Sequence, residues 1–397
     1  MGRGRWWRLA LCGLFLMGLA LARLQAYRLA DIPDLRLLSL SGESLTGSAA
    51  WALARQEEGE QQPAAFVLWG QRVGQVVENP DLARSTTLNV LLLAGDSPLL
   101  VPSDAPLLSG DTEGCLLDEG TAMELFGSPA PVGSQVRWNG RTLTVRGILS
   151  GKRPVLAVQA LAGDTGLGRL ALQIPAGSWP HRYIVEFSGR LGLDGVWGAA
   201  RTWAGIAGFF SQLPVWVLVL SAISPLLRTG FRALEYPAVF LACLLTAGAL
   251  WFAGLWLTGF SMQIPPELLP AQWSDFDFWV ELLREKQEEL ARFFLEEKTE
   301  YDLGLFLPAA GAVAAGIGTV LLMPLSLSRV KAASGRGLWA LCAGTLVFSF
   351  LAALYTDGAL ATDRPLWLAP PLYWVGDYVA RKLAGWAKQV QQTPEDA

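Results

Sequence analysis

The sequence predicts an α+β domain outside the membrane, carried on a polytopic bundle of transmembrane α-helices. Apolar residues make up 52% of the 397 residues and charged residues only 17%, a balance typical of membrane proteins. Five stretches are apolar and long enough to cross a bilayer. The long segment 24–204, between the first and second of them, instead alternates short apolar runs with Gly, Pro, Asn and Asp, which indicates strands and turns.

The five apolar stretches have the length of about 20 residues that a helix needs to cross a hydrocarbon core. They are 6–23, 205–227, 236–259, 303–326 and 338–356. None has a charged residue at its centre, and Arg8 lies near the start of the first, so each avoids the cost of a charge in mid-bilayer. Two alternatives stay open: the first stretch could be a cleaved signal peptide, and the stretches could be buried helices of a soluble protein.

Basic residues near the ends of these stretches predict the orientation, because Lys and Arg in short connections stay on the cytoplasmic side. Three groups fall on one side if all five stretches cross: Arg3, Arg5 and Arg8; Arg228 and Arg232; and Arg329, Lys331 and Arg336. The segments 24–204 and 260–302 then lie outside, as does the tail from residue 357. Basic residues in that tail conflict with an outer position; they are Arg364, Arg381, Lys382 and Lys388.

This layout divides the chain into six regions. They are a transmembrane helix at 1–23, an extracytoplasmic domain at 24–204, a transmembrane hairpin at 205–259, an external Pro-rich turn and acidic amphipathic helix at 260–302, a second transmembrane hairpin at 303–356 and a C-terminal tail at 357–397. In the fourth region, Trp279, Leu283 and Leu290 recur at helical spacing opposite an acidic face. Because helices that bind anionic lipid are usually basic, we expect this helix to pack on the outer domain.

Within 24–204 the pattern predicts short strands and few helices, which indicates an α+β domain. Two runs, 66–69 and 73–77, flank Gly70-Gln71-Arg72 and predict a hairpin. Further strands are predicted at 87–93, 115–117, 135–138, 143–149, 155–160, 170–174 and 183–187, and a helix at 119–126. Cys115 is the only cysteine outside the apolar stretches, so we expect a free buried thiol and no intrachain disulfide in this domain.

The segment 115–150 is the most informative part of the sequence. Asp118 follows a short strand and can cap the helix at 119–126, and Gly127 can end that helix in the left-handed conformation. Gly133 then precedes an alternating hairpin. Its turn is Asn139-Gly140, the preferred pair for a type I′ turn, because both central residues need positive φ. The segment therefore predicts a strand, a helix and a hairpin.

This run resembles the external core domain of the MacB/FtsX-like permeases of ABC transporters. The matching elements are Leu125-Phe126-Gly127, Val132-Gly133, Asn139-Gly140 and Val145-Arg146-Gly147-Ile148. The resemblance implies a MacB-like periplasmic core domain inserted between the first span and the later spans of a protein in the bacterial cell membrane. The fold-motif residues are thus Phe126, Gly127, Gly133, Asn139, Gly140 and Gly147.

The resemblance also implies a partner, a separate ABC ATPase subunit in the cytoplasm, since this chain has no GxxxxGK[ST] phosphate loop. Arg228 and Arg232 are the candidate contacts for that partner, or else ordinary positive-inside anchors. The chain departs from the family in the short connection 228–235, in its fifth apolar stretch and in its tail. Other expected partners are the lipid bilayer and copies or other subunits in an oligomer, and nothing indicates nucleic acid.

No residue pattern indicates catalysis, a cofactor or a metal. His181 is the only histidine, and the acidic residues Asp104, Asp111, Asp118 and Glu119 lack the spacing of a calcium loop. Asp275 and Asp277 are interpreted as helix caps, and the glycine-rich run 163–168 as a turn. One further possibility is a hydrophobic ligand groove formed by Trp69, Trp138, Trp197 and Trp203, although core packing and interface anchoring are the commoner roles of tryptophan.

Two hypotheses about function follow, and neither is an enzyme. The first is a permease-like membrane subunit of an ABC-type system that transmits ATPase motion to an extracytoplasmic domain. The second is a membrane-tethered extracytoplasmic scaffold or sensor that has lost ATPase coupling. The short connection around Arg228 and Arg232 separates them, because only the first hypothesis needs it for function.

Overall fold

The computed structural model of the chain describes residues 3–30, 34–42, 44–101, 103, 105–149, 154–175, 177–259, 277, 279–280, 283–284, 287, 291, 299–355 and 366–392. The chain divides into two compact units. One, called here the outer domain, comprises Ile32–Arg201 and Ile264–Gly304; the other, the helical unit, comprises Met1–Asp31, Thr202–Gln263 and Leu305–Ala397.

The outer domain is built on one sheet of nine strands in the described residues. The strands are β1 (Leu35–Leu40), β2 (Phe66–Asn79), β3 (Arg84–Gly95), β4 (Gly114–Asp118), β5 (Gln135–Trp138), β6 (Arg141–Leu149), β7 (Val155–Gln159), β8 (Arg169–Gln173) and β9 (Gly195–Ala199). Their order is β3-β7-β4-β6-β5-β2-β8-β1-β9, and β2 also pairs with β3, so six strands close into a ring. The β3–β7 and β4–β6 pairs are parallel and the others antiparallel.

Alternation along the strands produces two cores, one on each face of the sheet. In β6, Leu143 and Val145 are buried while Thr142 and Arg146 are exposed, the period of two that a strand imposes. Three helices cover the face with the larger core: α2 (Gly47–Glu58), α3 (Glu119–Phe126) and α4 (Pro180–Leu191). The mixed α+β fold that the sequence predicts is therefore confirmed.

The predicted hairpin around residues 70–72 is wrong. Strand β2 runs unbroken through them and pairs with β3 along its whole length, with a bulge between Arg72 and Gln75. Gly70 is needed for close approach rather than for a turn, because an added Cβ there would clash with the Gly166 carbonyl oxygen. Gly74, with φ of 66°, belongs to the bulge. Glycines at a bulge and at a close approach thus resemble a turn in sequence.

The predicted strand at 183–187 is also wrong, because these residues lie in α4. Pro180 occupies the first turn, and Gly192 ends the helix in the left-handed conformation with φ of 64°. Phe187 and Leu191, four residues apart, are the buried pair. The sequence analysis also missed β1, α2 and β9.

Six helices in the described part of the chain lie wholly or for the most part in the helical unit. They are α1 (Arg3–Tyr27), α5 (Ala200–Arg232), α6 (Pro237–Thr258), α7 (Glu300–Leu322), α8 (Gly335–Tyr355) and α9 (Ala369–Gln392). Four helical stretches are long and apolar enough to cross a membrane: Ala10–Tyr27, Ala200–Arg232, Pro237–Thr258 and Tyr301–Arg329. They contain or overlap the first four predicted spans. The fifth predicted span corresponds to α8, whose apolar part Gly335–Leu351 is shorter, and its crossing stays a prediction.

Helix α9 lies in what the sequence analysis treated as an unexplained tail. An added Cβ at Gly376 would lie 3.0 Å from Cβ of Ala222 in α5, and farther along Ala387 packs in one cluster with Ala233. From Gly376 to Ala387 along α9, the neighbouring residue moves from Ala222 to Ala233 along α5. Helix α9 therefore runs parallel to α5 and ends beside the connection between α5 and α6. The five-span layout placed the tail at the opposite end, and the structure corrects it.

Some predictions fall outside the described residues. The acidic helix at 275–300 is described only at isolated positions, and so is most of the external region 260–302. Asp104 and Asp275 lie outside the described residues as well.

Candidate functional site

The predicted cap at Asp118 joins three elements of the outer domain. Its carboxylate accepts the Thr121 amide at 3.0 Å, the Thr121 hydroxyl, and the amide of Val155 at the start of β7, also at 3.0 Å. The residue is 2% exposed. One buried carboxylate therefore caps α3 and fixes the first residue of β7, a role beyond the simple cap that the sequence predicts.

The remaining fold-motif residues take the positions that local chemistry requires. Gly127 ends α3 with φ of 71°, and Asn139 and Gly140 form the turn between β5 and β6 with φ of 47° and 75°. Gly133 has φ of 86°. Phe126 packs against the larger core, and an added Cβ at Gly147 would lie 3.0 Å from the Ala105 carbonyl oxygen, so both help to pack the domain. These residues therefore build the fold of the outer domain.

The first turn of α7 is bound to the sheet of the outer domain. Thr299 and Asp302 cap the helix reciprocally, because the Asp302 carboxylate accepts the Thr299 amide at 3.1 Å and the Asp302 amide donates to Thr299 Oγ1 at 3.3 Å. The same carboxylate oxygen accepts Nη1 of Arg169, on β8, at 2.6 Å. Asp302 thus both starts the helix and pairs with the sheet.

Aromatic packing surrounds this ion pair. Arg169 lies 5.7 Å above the ring of Trp69, a residue of β2 that is 1% exposed. Tyr301 meets the same ring edge-on, with centroids 6.2 Å apart. We call Trp69, Arg169, Tyr301 and Asp302 the α7 latch. The latch binds the first turn of α7 to two central strands of the outer domain, β2 and β8. From there α7 continues to Leu322 as a candidate membrane span.

The sequence analysis missed the α7 latch. One signal was available, since Thr299-x-x-Asp302 is a capping-box pattern that marks a helix start. The sequence carries no local signal for the ion pair itself, because Arg169 and Asp302 are 133 residues apart.

The candidate partner contacts Arg228 and Arg232 are exposed on the last turns of α5. Neither forms an ion pair or a side-chain hydrogen bond with another described residue. They share this end of the helix with Phe231 and Leu234, which are 65% and 60% exposed. Only residues 233–236 separate α5 from α6, so no separate helix connects them. The end of α5 and the connection to α6 therefore form an exposed surface that is both basic and apolar, and this connection contains no additional helix.

The described residues include no group of three or more His, Cys, Asp or Glu side chains that could hold a metal ion. His181 is exposed in the first turn of α4. The glycine-rich run forms a turn in which Asp164 accepts the Leu161 amide at 2.8 Å and the Arg72 guanidinium at 3.1 Å. That turn is a structural connection, as predicted.

The four tryptophans do not form the ligand groove considered above. Trp69 and Trp138 are 1% and 2% exposed and belong to the cores on opposite faces of the sheet. Trp197 packs edge-on against Phe187, and Trp203 packs against Phe306. Trp69 and Trp138 lie on opposite faces of the sheet, so they cannot line one groove. Packing in the cores explains Trp69, Trp138 and Trp197.

Cys115 is fully buried, as predicted, and burial raises the pKa of its thiol to about 12. The thiol is therefore protonated at neutral pH while the domain is folded. A thiol reagent can modify it only when the domain opens.

Comparison with known proteins identifies similarity in the outer domain. Residues 38–188 match the family described as the MacB-like periplasmic core domain. No curated protein matches the chain. The match includes the second half of β1, all of β2–β8, α2 and α3, and most of α4, and leaves the helical unit outside it.

Two solved structures are among those that align with the chain. One is the periplasmic region of MacB from Actinobacillus actinomycetemcomitans, with 16% identity, a TM-score of 0.32, and coverage of 41% of this chain and 87% of that one. The other is the extracellular domain of the noncanonic ABC-type transporter YknZ from Gram-positive bacteria, with 14% identity, a TM-score of 0.31, and coverage of 42% and 98%.

Proposed function

We propose that this membrane protein is a permease-like subunit of an ABC-type system, in which ATPase motion is transmitted to the outer domain, because residues 38–188 match the MacB-like periplasmic core domain. The observation that supports transmission is the α7 latch. It fixes the start of a candidate span to β8 and β2 through a charge-assisted hydrogen bond and aromatic packing.

The latch is suited to transmit force because it joins stiff elements. Within α7 the backbone hydrogen bonds run along the helix axis except at Pro308, which has no amide proton, so displacement of one end moves the other through a helix with one missing hydrogen bond. The receiving strands lie inside the sheet, where β8 pairs with β1 and β2. The latch thus adds a noncovalent contact at the start of α7, a helix in which the chain passes from the outer domain into the helical unit.

The end of α5, next to its connection to α6, supports the proposed contact with an ATPase. Arg228, Phe231 and Arg232 together offer charge and apolar area, the residue types enriched where proteins bind each other. We expect the energy source to be an ABC ATPase partner in the cytoplasm, since these 397 residues contain no phosphate loop.

Affinity purification of the full chain from its native membrane in a mild detergent tests the proposal. We expect an ATPase subunit to co-purify and its ATP hydrolysis to change when the two are reconstituted together. Absence of any ATPase from the preparation, together with no effect on hydrolysis, contradicts the proposal.

The short connection between α5 and α6 favours a second candidate function. With four residues between the helices, a dedicated helix for an ATPase is absent from this connection, as expected of a membrane-tethered scaffold or sensor that has lost ATPase coupling. In that case the outer domain would act by binding alone.

The double substitution Arg228→Glu and Arg232→Glu separates the two functions. Since like charges brought together at an interface cost several kcal/mol, we expect ATPase co-purification to fall by roughly 100-fold or more. The matched control is Arg84→Glu with Arg182→Glu, the same change of charge on exposed residues of the outer domain, which should keep the ATPase bound. If the protein keeps its function after the charges of Arg228 and Arg232 are reversed, the result favours the scaffold or sensor function.

A further inference from the structure

The two halves of α9 have different surroundings. In its first half, Tyr373, Trp374 and Ala380 are buried in the main core of the helical unit. In its second half the side chains on one face are exposed, including Lys382, Trp386 and Lys388. The helix therefore begins as a packed element and ends as a surface element.

Contacts place the second half beside the connections that carry the basic residues. Arg381 Nη1 donates to the Ala332 carbonyl at 2.9 Å, between the ends of α7 and α8. Ala387 packs with Ala233, Val239 and Cys243 at the α5–α6 connection. We call residues 228–236, 329–336 and 381–389 the inner end of the helical unit.

The inner end has a strong excess of positive charge among its described residues. Its exposed basic residues apart from Arg381 are Arg228, Arg232, Arg329, Lys331, Arg336, Lys382 and Lys388. Arg381 is compensated, since its guanidinium contacts the Asp377 carboxylate at 2.9 and 3.0 Å. The only acidic residue of the inner end is Glu235, and it is exposed. Seven basic groups against one carboxylate leave an excess that the described residues do not neutralise.

Exposed indoles accompany this charge. Trp339 is 77% exposed, one helical turn after Arg336, and Trp386 is 42% exposed, one turn after Lys382. Residues three or four apart lie on the same face of a helix, so each indole adjoins a basic side chain. A face turned only to water gains nothing from exposed tryptophan, whereas membrane interfaces are enriched in tryptophan beside lysine and arginine.

We propose that the second half of α9, with Lys382, Trp386 and Lys388, binds the anionic headgroups of phospholipids in the cytoplasmic leaflet. The amphipathic end of α9 then holds the inner end of the bundle at the membrane surface, and the C-terminus of the helix lies on the cytoplasmic side. This also removes the conflict in the sequence, because Arg381, Lys382 and Lys388 come to the side that basic residues prefer. The proposal does not depend on an ATPase partner.

The test measures the thermal stability of the purified full chain in detergent as lipid is added. The lipids are phosphatidylglycerol, which is anionic, and phosphatidylcholine, which is not. We expect phosphatidylglycerol to raise the melting temperature and phosphatidylcholine to raise it much less. Replacing Lys382 and Lys388 with glutamate should raise the phosphatidylglycerol concentration needed for half of the effect by roughly tenfold or more, given the contribution of each basic residue near an anionic surface.

Matched controls identify the source of the effect. Arg84→Glu with Arg182→Glu makes the same change of charge on exposed residues of the outer domain and should leave the lipid response intact. Inorganic phosphate should not reproduce the stabilisation. A phosphate response equal to that of the lipid, or an unchanged lipid response in the lysine variant, overturns the proposal. If that variant loses a bound protein but keeps its lipid response, the surface is a protein contact and the proposal also fails.

A milder variant covers loss of folding. Lys382→Gln with Lys388→Gln removes the charges without adding repulsion, and it should still weaken the phosphatidylglycerol response. Replacing Gly385 with cysteine tests the side of the membrane, because an added Cβ there meets no atom within 4 Å. We expect a membrane-impermeant thiol reagent to label it only from the cytoplasmic side, and labelling from the outside overturns the proposal.

Discussion

Replacing Asp118 with alanine is expected to destabilise the outer domain by about 3 kcal/mol, the sum of a lost helix cap and of an unpaired buried amide at Val155. That is a large fraction of the total stability of a typical domain. Cys115 provides the measurement, because its buried thiol reacts only after the domain opens. A loss of about 3 kcal/mol should accelerate its modification by a thiol reagent by roughly 100-fold.

Two variants control this experiment. Glu119→Ala removes the neighbouring carboxylate, which is exposed and contributes only through the helix dipole, about 0.3–1 kcal/mol. Asp118→Asn keeps an oxygen that can cap the helix and should fall between alanine and the wild type. Equal labelling rates in the Asp118→Ala and Glu119→Ala variants would show that Asp118 does not join α3 to β7.

Replacing Arg169 with alanine is expected to free the first turn of α7 from the sheet. It leaves the largely buried Asp302 carboxylate without its cation, which costs about 3–5 kcal/mol for a fully buried pair and less here, about 2 kcal/mol, because Arg169 is partly exposed. Amide hydrogen exchange in residues 299–304 should then be roughly 30-fold faster. The proposed ATPase partner should stay bound in this variant, since Arg169 lies in the outer domain.

The exposed pair Arg137–Glu78 on the same sheet is the matched control. Its atoms are 3.5 Å apart and both side chains are about half exposed, so Arg137→Ala should change stability by less than about 1 kcal/mol. A double-mutant cycle with Asp302→Ala measures the coupling between the latch residues. Additive effects of the two substitutions would mean that Arg169 and Asp302 do not act together.

The sequence predicted best where a structure is decided by neighbouring residues. The cap at Asp118, the end of α3 at Gly127 and the turn at Asn139-Gly140 follow from backbone chemistry within a few residues, and all three are present. Membrane helices were predictable for the same reason, because the bilayer imposes length and polarity on each helix separately.

It failed where distant residues decide. Gly70 looks like a turn until Gly166 is placed against it, and 183–187 look like a strand until Phe187 and Leu191 are packed on the core. The α7 latch joins residues far apart in the chain, so no local pattern contains it. Helix α9 was missed because its buried half is short and its polar half resembles a solvated tail.

Hydrogen exchange in β2 and β8 tests the proposed transmission of ATPase motion to the outer domain most directly. It is measured on the full chain with its co-purified ATPase, with and without ATP. We expect ATP to change the exchange of residues 66–69 and 169–173, and the Arg169→Ala variant to lose this change while the ATPase stays bound. Exchange that ATP leaves unaltered in the wild type, while the ATPase turns over, would contradict transmission to the outer domain.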